Sequence, residues 1–84
     1  MKVKLKIYPI SGMSNKSLSL EVKIKEEATV ADLLYRAEQV TGNKIPEIGV
    51  MVMLNGRVID THEGKDTRLK AGDRLWIMPT LCGG

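Results

Sequence analysis

A single amphipathic helix, placed between two groups of strand-like segments, limits the folds open to this chain. Thr29 can cap the start of the helix, and Asp32, three residues later, can complete a capping box. Gly42 can take the left-handed conformation that ends a helix. The apolar stripe between these caps consists of Val30, Leu33, Leu34, Ala37 and Val40. A helix of about 12 residues with one apolar stripe needs a larger apolar surface, such as a sheet, to cover that stripe.

The two segments before the helix have the period of two that is typical of half-buried strands. Lys2–Tyr8 and Ser17–Lys25 alternate apolar and polar residues, and Pro9–Lys16 between them has the composition of a turn. The apolar positions are Val3, Leu5, Ile7, Leu18, Leu20, Val22 and Ile24, and the opposite side of the first strand carries Lys2, Lys4 and Lys6. We therefore predict an antiparallel hairpin with one buried face and one solvated face.

A second hairpin is predicted after the helix. Val50–Leu54 is apolar throughout, which is typical of an interior strand. Asn55 and Gly56 follow, and both residues tolerate the positive φ that a two-residue hairpin turn requires. Arg57–Ile59 is then predicted as a short returning strand.

The last strand is predicted at Arg74–Met78, and Pro79 is expected to end it. Asp60–Gly72 before it is polar, with Leu69 as its expected anchor in the core. Two strands, a helix and three strands predict an α+β domain of two layers. This order favours the ubiquitin-like β-grasp, in which one main helix packs on one face of a mixed sheet and the last strand lies centrally, parallel to the first. We predict this domain for residues 1–78, followed by a flexible tail at 79–84.

Alternation in the last strand predicts an apolar patch on the sheet face that points away from the helix. If Leu75 and Ile77 face the helix, the residues between and after them face outward. The predicted partner-binding patch consists of Trp76, Met78, Met51 and Met53. An aromatic ring and methionines on an open sheet face are typical of a protein-binding surface. The lysines of the first strand either flank this patch or form a solvated face.

The final segment of the chain is predicted to be an extended tail with an accessible carboxylate. It consists of Pro79, Thr80, Leu81, Cys82, Gly83 and Gly84. Six extended residues span about 20 Å. Gly83 and Gly84 have no side chains, so they can pass through a narrow channel and leave a terminal carboxylate open to attack. Because a carboxylate becomes a good electrophile only after activation, we predict that Gly84 reacts inside the active site of another protein.

Three stretches of the sequence resemble the small-subunit family of molybdopterin synthase and, more distantly, the thiamin sulfur carriers and ubiquitin. They are Thr29–Leu34 at the helix start, Leu54–Gly56 at the hairpin, and Leu69–Leu75 together with Pro79, Gly83 and Gly84. Two positions depart from the family pattern. Thr80 stands where the family usually has a second proline, and Cys82 stands where it usually has a small residue.

This resemblance implies a sulfur carrier that acts as a co-substrate and not as an enzyme. An adenylyltransferase of the ubiquitin-activating type would use ATP to adenylate Gly84, and a persulfide donor would convert the adenylate into a thiocarboxylate. The carrier would bind a large synthase subunit and donate its sulfur to a pterin precursor. The chain itself is expected to bind no cofactor and to work in the cytoplasm.

Two other functions are compatible with the same tail. A ubiquitin-like modifier would be joined through Gly84 to lysines of other proteins, since that route begins with the same adenylate. A plain binding module would be unaffected by loss of Gly83 and Gly84. The sulfur acceptor is also open at this point, because pterin, thiamin and tRNA pathways all use carriers of this kind.

Reactive side chains are too few for several other classes of function. Cys82 has no neighbouring base and His62 lies in a distant polar loop, so we interpret Cys82 as an incidental small residue. One histidine and one cysteine cannot furnish a metal site alone. Three aromatic residues and a net charge of +3 argue against nucleic-acid binding. No apolar run approaches the roughly 20 residues of a membrane-spanning helix.

Overall fold

The six predicted elements are present in the computed structural model, which describes residues 1–13, 15–46, 48–59 and 64–80. In chain order they are β1 (Lys2–Ile7), β2 (Leu18–Lys23), α1 (Val30–Thr41), β3 (Val50–Leu54), β4 (Arg57–Ile59) and β5 (Arg74–Pro79). The predicted bounds differ from these by one or two residues at the ends of β1, β2 and β5. Among the described residues, no helix is long and apolar enough to cross a membrane.

The five strands form one mixed sheet in the order β2-β1-β5-β3-β4. β5 runs parallel to β1, with Leu5 opposite Leu75 and Ile7 opposite Ile77. The other neighbouring pairs are antiparallel. The last strand therefore lies at the centre, which confirms the predicted ubiquitin-like β-grasp arrangement of an α+β fold.

The core lies between α1 and one face of this sheet. Its fully buried larger side chains are Val3, Leu5, Ile7, Val30, Leu33, Val52, Leu75 and Ile77. Leu69 is also buried, at 4% exposure, which confirms it as the anchor of the polar segment before β5. Strands β1 and β5 contribute alternate residues to this core, so their remaining side chains emerge on the opposite face of the sheet.

Two parts of the predicted core are placed differently in the structure. Val40 was predicted in the buried stripe but is 44% exposed, since it lies at the edge of that stripe near the end of α1. Ile10 and Met13, in the segment predicted only as a turn, are buried at 4% and 3% exposure. Asn43 Nδ2 donates to the carbonyl of Met13 at 2.8 Å, which ties this loop to the end of the helix. The β1–β2 connection therefore fills the core at the end of the helix where Val40 is exposed.

Both predicted caps of α1 are present. The hydroxyl of Thr29 accepts from the backbone N–H of Asp32, and the carboxylate of Asp32 accepts from the N–H of Thr29 at 2.9 Å. At the other end, Gly42 has a φ of 73° and its N–H donates to the carbonyl of Glu38 at 2.8 Å. These bonds satisfy backbone groups that a helix terminus otherwise leaves unpaired.

We expect the stability contributed by this capping box to depend on pH through Asp32. The hydrogen bond from the backbone of Thr29, and then the positive charge of Lys25, lower the pKa of the Asp32 carboxyl below its ordinary value. A carboxyl with a lowered pKa in the folded state stabilises the fold above its unfolded pKa, and this contribution is lost as the pH falls through the folded pKa. Asp32→Asn should therefore lower the melting temperature at pH 7. The gap in melting temperature between variant and parent should narrow below about pH 4. Thermal melts of both proteins across this range measure the gap; a gap that stays constant would contradict the assignment.

Candidate functional site

The sheet register brings the four predicted patch residues together on the face opposite the helix. Met51 lies opposite Met78, and Met53 lies opposite Trp76, on the neighbouring strands β3 and β5. All four side chains are half-buried. Since their core-facing neighbours on β5, Leu75 and Ile77, are fully buried, the alternation predicted from the sequence is confirmed. The four residues form a continuous apolar surface, which we call the outer patch.

Two further side chains extend the outer patch beyond the residues predicted from the sequence. Val58 on β4 lies opposite Met53 and is 61% exposed. The ring of Tyr8 contacts the ring of Trp76 edge-on, with centroids 6.4 Å apart and an angle of 64° between the planes. This geometry is one that aromatic pairs prefer. Trp76 therefore sits between an aromatic ring on the β1 side and a methionine on the β3 side.

Positive charge borders the outer patch on its β1 side. Lys6 lies opposite Trp76 and Lys4 lies opposite Arg74 in the parallel β1–β5 ladder. The Lys6 ammonium is 4.8 Å from the centroid of the Tyr8 ring, close enough for a cation–π contact. Lys2, at the far end of β1, instead forms an exposed ion pair with Glu21 at 3.7 Å. The three lysines thus share the sheet face that carries the outer patch. Lys6 flanks the patch, whereas Lys2 lies at the solvated end of β1.

The strand that leads into the C-terminal segment is held more firmly than the sequence predicts. Pro79 was expected to end β5 at Met78, but it lies opposite Val50 within the ladder. The next residue, Thr80, donates its backbone N–H to the carbonyl of Gly49 at 3.0 Å. Proline can occupy this place because it comes at the end of the strand, where its missing donor matters least.

The predicted reacting residue, Gly84, lies outside the described part of the chain. The same holds for the tail residues Leu81, Cys82 and Gly83, and for His62. Pro79 and Thr80, the first two residues of the predicted tail, are held by the sheet through the β3–β5 ladder and the bond to Gly49.

Comparison with known proteins identifies the family of this architecture. A model of the ThiS family matches residues 9–84. A protein of Archaeoglobus fulgidus named "Putative sulfur carrier protein" is 31% identical over 68 residues, which cover 70% of this chain and 77% of that protein.

Solved structures show the same fold at lower sequence identity. Subunit 1 of a "putative molybdopterin converting factor" from Pyrococcus furiosus superposes with a TM-score of 0.73 at 22% identity, covering 96% of this chain and 99% of that one. SAMP1 of Haloferax volcanii, a small archaeal modifier protein, superposes with a TM-score of 0.69 at 18% identity, covering both chains completely. At these identities the likeness establishes the shared fold.

Proposed function

Because this chain belongs to the ThiS family of ubiquitin-like sulfur carriers, we propose that Gly84 is its terminal residue and that the carboxylate of Gly84 carries the sulfur. Carriers of this family are not catalysts, so the chemistry belongs to the proteins that receive the tail. The acceptor that we propose is a pterin precursor in the synthesis of the molybdenum cofactor, in the cytoplasm. The observation that favours a carrier role is the central strand β5, which is bonded on both sides and leads directly into the tail. The similarity in fold to the putative molybdopterin converting factor subunit favours the pterin acceptor.

Two steps would load the carrier. A carboxylate oxygen of Gly84 attacks the α-phosphate of ATP in an adenylyltransferase of the ubiquitin-activating type, forming the acyl-adenylate and releasing pyrophosphate. The terminal sulfur of a protein persulfide then attacks the Gly84 carbonyl carbon and displaces AMP. Attack by a thiol on the resulting acyl disulfide breaks its sulfur–sulfur bond, which releases the thiocarboxylate and leaves a disulfide on the donor. ATP is thus consumed by the activating enzyme, and the carrier itself needs no cofactor.

Rigid attachment of the tail is what supports this role physically. Leu75 and Ile77 on β5 are fully buried, and Thr80 is still bonded to the sheet through Gly49. A tail of four residues on a fixed base loses less conformational entropy on entering a channel than a tail of six on a loose base. Gly83 and Gly84 have no Cβ and allow the narrowest channel near the reacting carbon.

The outer patch is suited to hold the carrier while its tail is inserted. Trp76 and the methionines beside it supply an apolar centre, and aromatic residues are the most frequent energetic centres of protein interfaces. Lys6 and Arg74 lie beside that centre, so positive charge is distributed unevenly over the face. Such an asymmetry can fix the orientation of a partner. We propose that the adenylyltransferase and the large synthase subunit bind this face in turn.

Intact mass spectrometry of the protein isolated from its native cell tests this function. We expect a chain that ends at Gly84 and a second species heavier by the mass difference between one sulfur and one oxygen atom. Deletion of Gly83 and Gly84 provides the control, because it should remove the heavier species and leave the fold unchanged. If the native chain extends beyond Gly84, or if only the carboxylate form appears when an adenylyltransferase and a sulfur donor are supplied, the proposal is wrong.

A second candidate function is conjugation of Gly84 to lysines of other proteins. The similarity in fold to SAMP1 over both complete chains favours it, and conjugation starts from the same adenylate. Blots of cell extract with an antibody to this chain distinguish the two functions. Conjugation predicts a series of larger bands that disappears on deletion of Gly84, whereas a carrier gives one band and transfers sulfur to the pterin precursor.

A further inference from the structure

The side chain of Asn55 connects two turns that are far apart in sequence. Its Nδ2 donates to Asp73 Oδ1 at 2.9 Å, and its Oδ1 accepts from the backbone N–H of Arg74 at 2.9 Å. The other carboxylate oxygen of Asp73 accepts from the N–H of Lys70 at 2.7 Å. The β3–β4 turn is therefore fastened to the turn before β5, and both ends of the Asn55 amide are engaged in that contact.

Asn55 is followed by Gly56, and this pair of residues is prone to a specific rearrangement. The backbone nitrogen of Gly56 can attack Cγ of Asn55, forming a five-membered succinimide and expelling the side-chain nitrogen as ammonia. Water then opens the ring to aspartate or to isoaspartate, in which the backbone runs through the side chain. Glycine favours the attack because it has no Cβ to shield its nitrogen. Water is the only co-reactant, and no oxidant or reductant is needed.

We propose that Asn55 is a deamidation site and that its contact with Asp73 and Arg74 protects it from reaction in the folded protein. Attack requires Cγ of Asn55 to approach the nitrogen of Gly56. The two hydrogen bonds instead hold the amide towards the start of β5. Asn55 has a φ of 52° and Gly56 a φ of 86°, so the turn that connects them is also fixed by the hairpin. Deamidation therefore requires local opening events in which both hydrogen bonds break and the side chain of Asn55 moves away from the start of β5.

Deamidation would prevent the contact from forming again. Aspartate at position 55 has no N–H to donate to Asp73, and its carboxylate would stand about 3 Å from that of Asp73, where like charges repel. Isoaspartate would add one carbon atom to the backbone of a two-residue turn, whose length sets the pairing of β3 with β4. Each modified molecule thus loses the link between the hairpin and the strand that carries the tail.

Incorporation of heavy oxygen measures the reaction at this position. The folded chain and a synthetic peptide of residues 51–59 are kept in mildly alkaline buffer prepared with H₂¹⁸O, and labelled aspartate and isoaspartate at position 55 are quantified by peptide mass spectrometry. We expect the folded chain to react at least about tenfold more slowly than the peptide, because a reaction through local opening is slowed by the ratio of closed to open forms. Equal rates would overturn the proposal.

A pair of variants separates this contact from the general stability of the fold. Asp73→Ala removes the acceptor of Asn55 Nδ2 and should accelerate labelling several-fold. Asp66→Ala should leave labelling unchanged, because Asp66 is an exposed aspartate in the segment that bonds to the start of α1. Labelling at Asn43 in the same molecules serves as an internal reference for the general stability of the fold. Faster labelling at Asn55 alone supports the proposal. An unchanged rate in Asp73→Ala, or equal acceleration at Asn55 and Asn43, would show that this contact does not close the site.

Discussion

One alanine appended after Gly84 should reduce thiocarboxylate formation by at least about 100-fold in an assay with the adenylyltransferase, ATP and a persulfide donor. An added residue moves the terminal carboxylate by about 3.5 Å. A displacement of about 1 Å in an active site can already cost about 100-fold in rate. The base of the tail cannot slide to compensate, because Thr80 is bonded to Gly49 and β5 is the central strand of the sheet. Mass spectrometry of the reaction products measures the loss.

The effect of the added residue can be separated from an effect on folding. A longer extension that a site-specific protease removes directly after Gly84 should block loading, and cleavage should restore it in the same sample. Thermal melts of the parent and extended chains should coincide, since the core residues of the described part of the chain all come before Thr80. If the extended chain is loaded as fast as the parent, the reacting group is not the carboxylate of Gly84.

Local chemistry explains which parts of the fold could be predicted from the sequence. The caps of α1 depend on residues within a few positions of each other, and Thr29, Asp32 and Gly42 all act as predicted. The turn at Asn55 likewise requires two residues that accept positive φ. The order of elements favours the β-grasp, and the central place of β5, parallel to β1, agrees with that prediction.

Contacts between distant segments explain most of what sequence patterns did not reveal. Ile10 and Met13 lie in a segment rich in turn-forming residues, so their burial depends on a helix end that follows about 30 residues later. The bond from Thr80 to Gly49 depends on the ladder between β5 and β3. Neither feature leaves a periodic pattern in its own segment.

Val58 is a different case, because its place on the outer patch could have been derived from the sequence. A two-residue turn at Asn55 and Gly56 sets Leu54 opposite Arg57 and therefore Met53 opposite Val58. Since Met53 was already predicted to face outward, its partner had to face outward too. Short strands such as β4 are difficult to orient from their own composition, but the neighbouring turn determines their register.

Trp76→Ala should weaken binding of the carrier to the adenylyltransferase by about 2 kcal/mol or more, equivalent to roughly 30-fold in Kd. Trp76 is the largest side chain of the outer patch and lies between Met53, Lys6 and the ring of Tyr8. Its truncation removes the apolar centre and also the aromatic partner that holds Tyr8. Because Trp76 is half-buried on the face away from the core, we expect a much smaller effect on folding than on binding. Calorimetric titration of the enzyme with each variant measures the change.

Tyr35→Ala provides the control, since Tyr35 is an aromatic residue that is 62% exposed but lies on α1, on the other side of the sheet. It should bind within about twofold of the parent chain, as expected for a residue outside the interface. Lys6→Glu then tests the charged border, because a reversed charge beside Trp76 should slow association most strongly at low salt. Equal losses in Trp76→Ala and Tyr35→Ala would mean that the outer sheet face is not where the enzyme binds. A loss confined to Trp76 and Lys6 would place the contact on the same strands, β1 and β5, that form the centre of the sheet and lead into the tail.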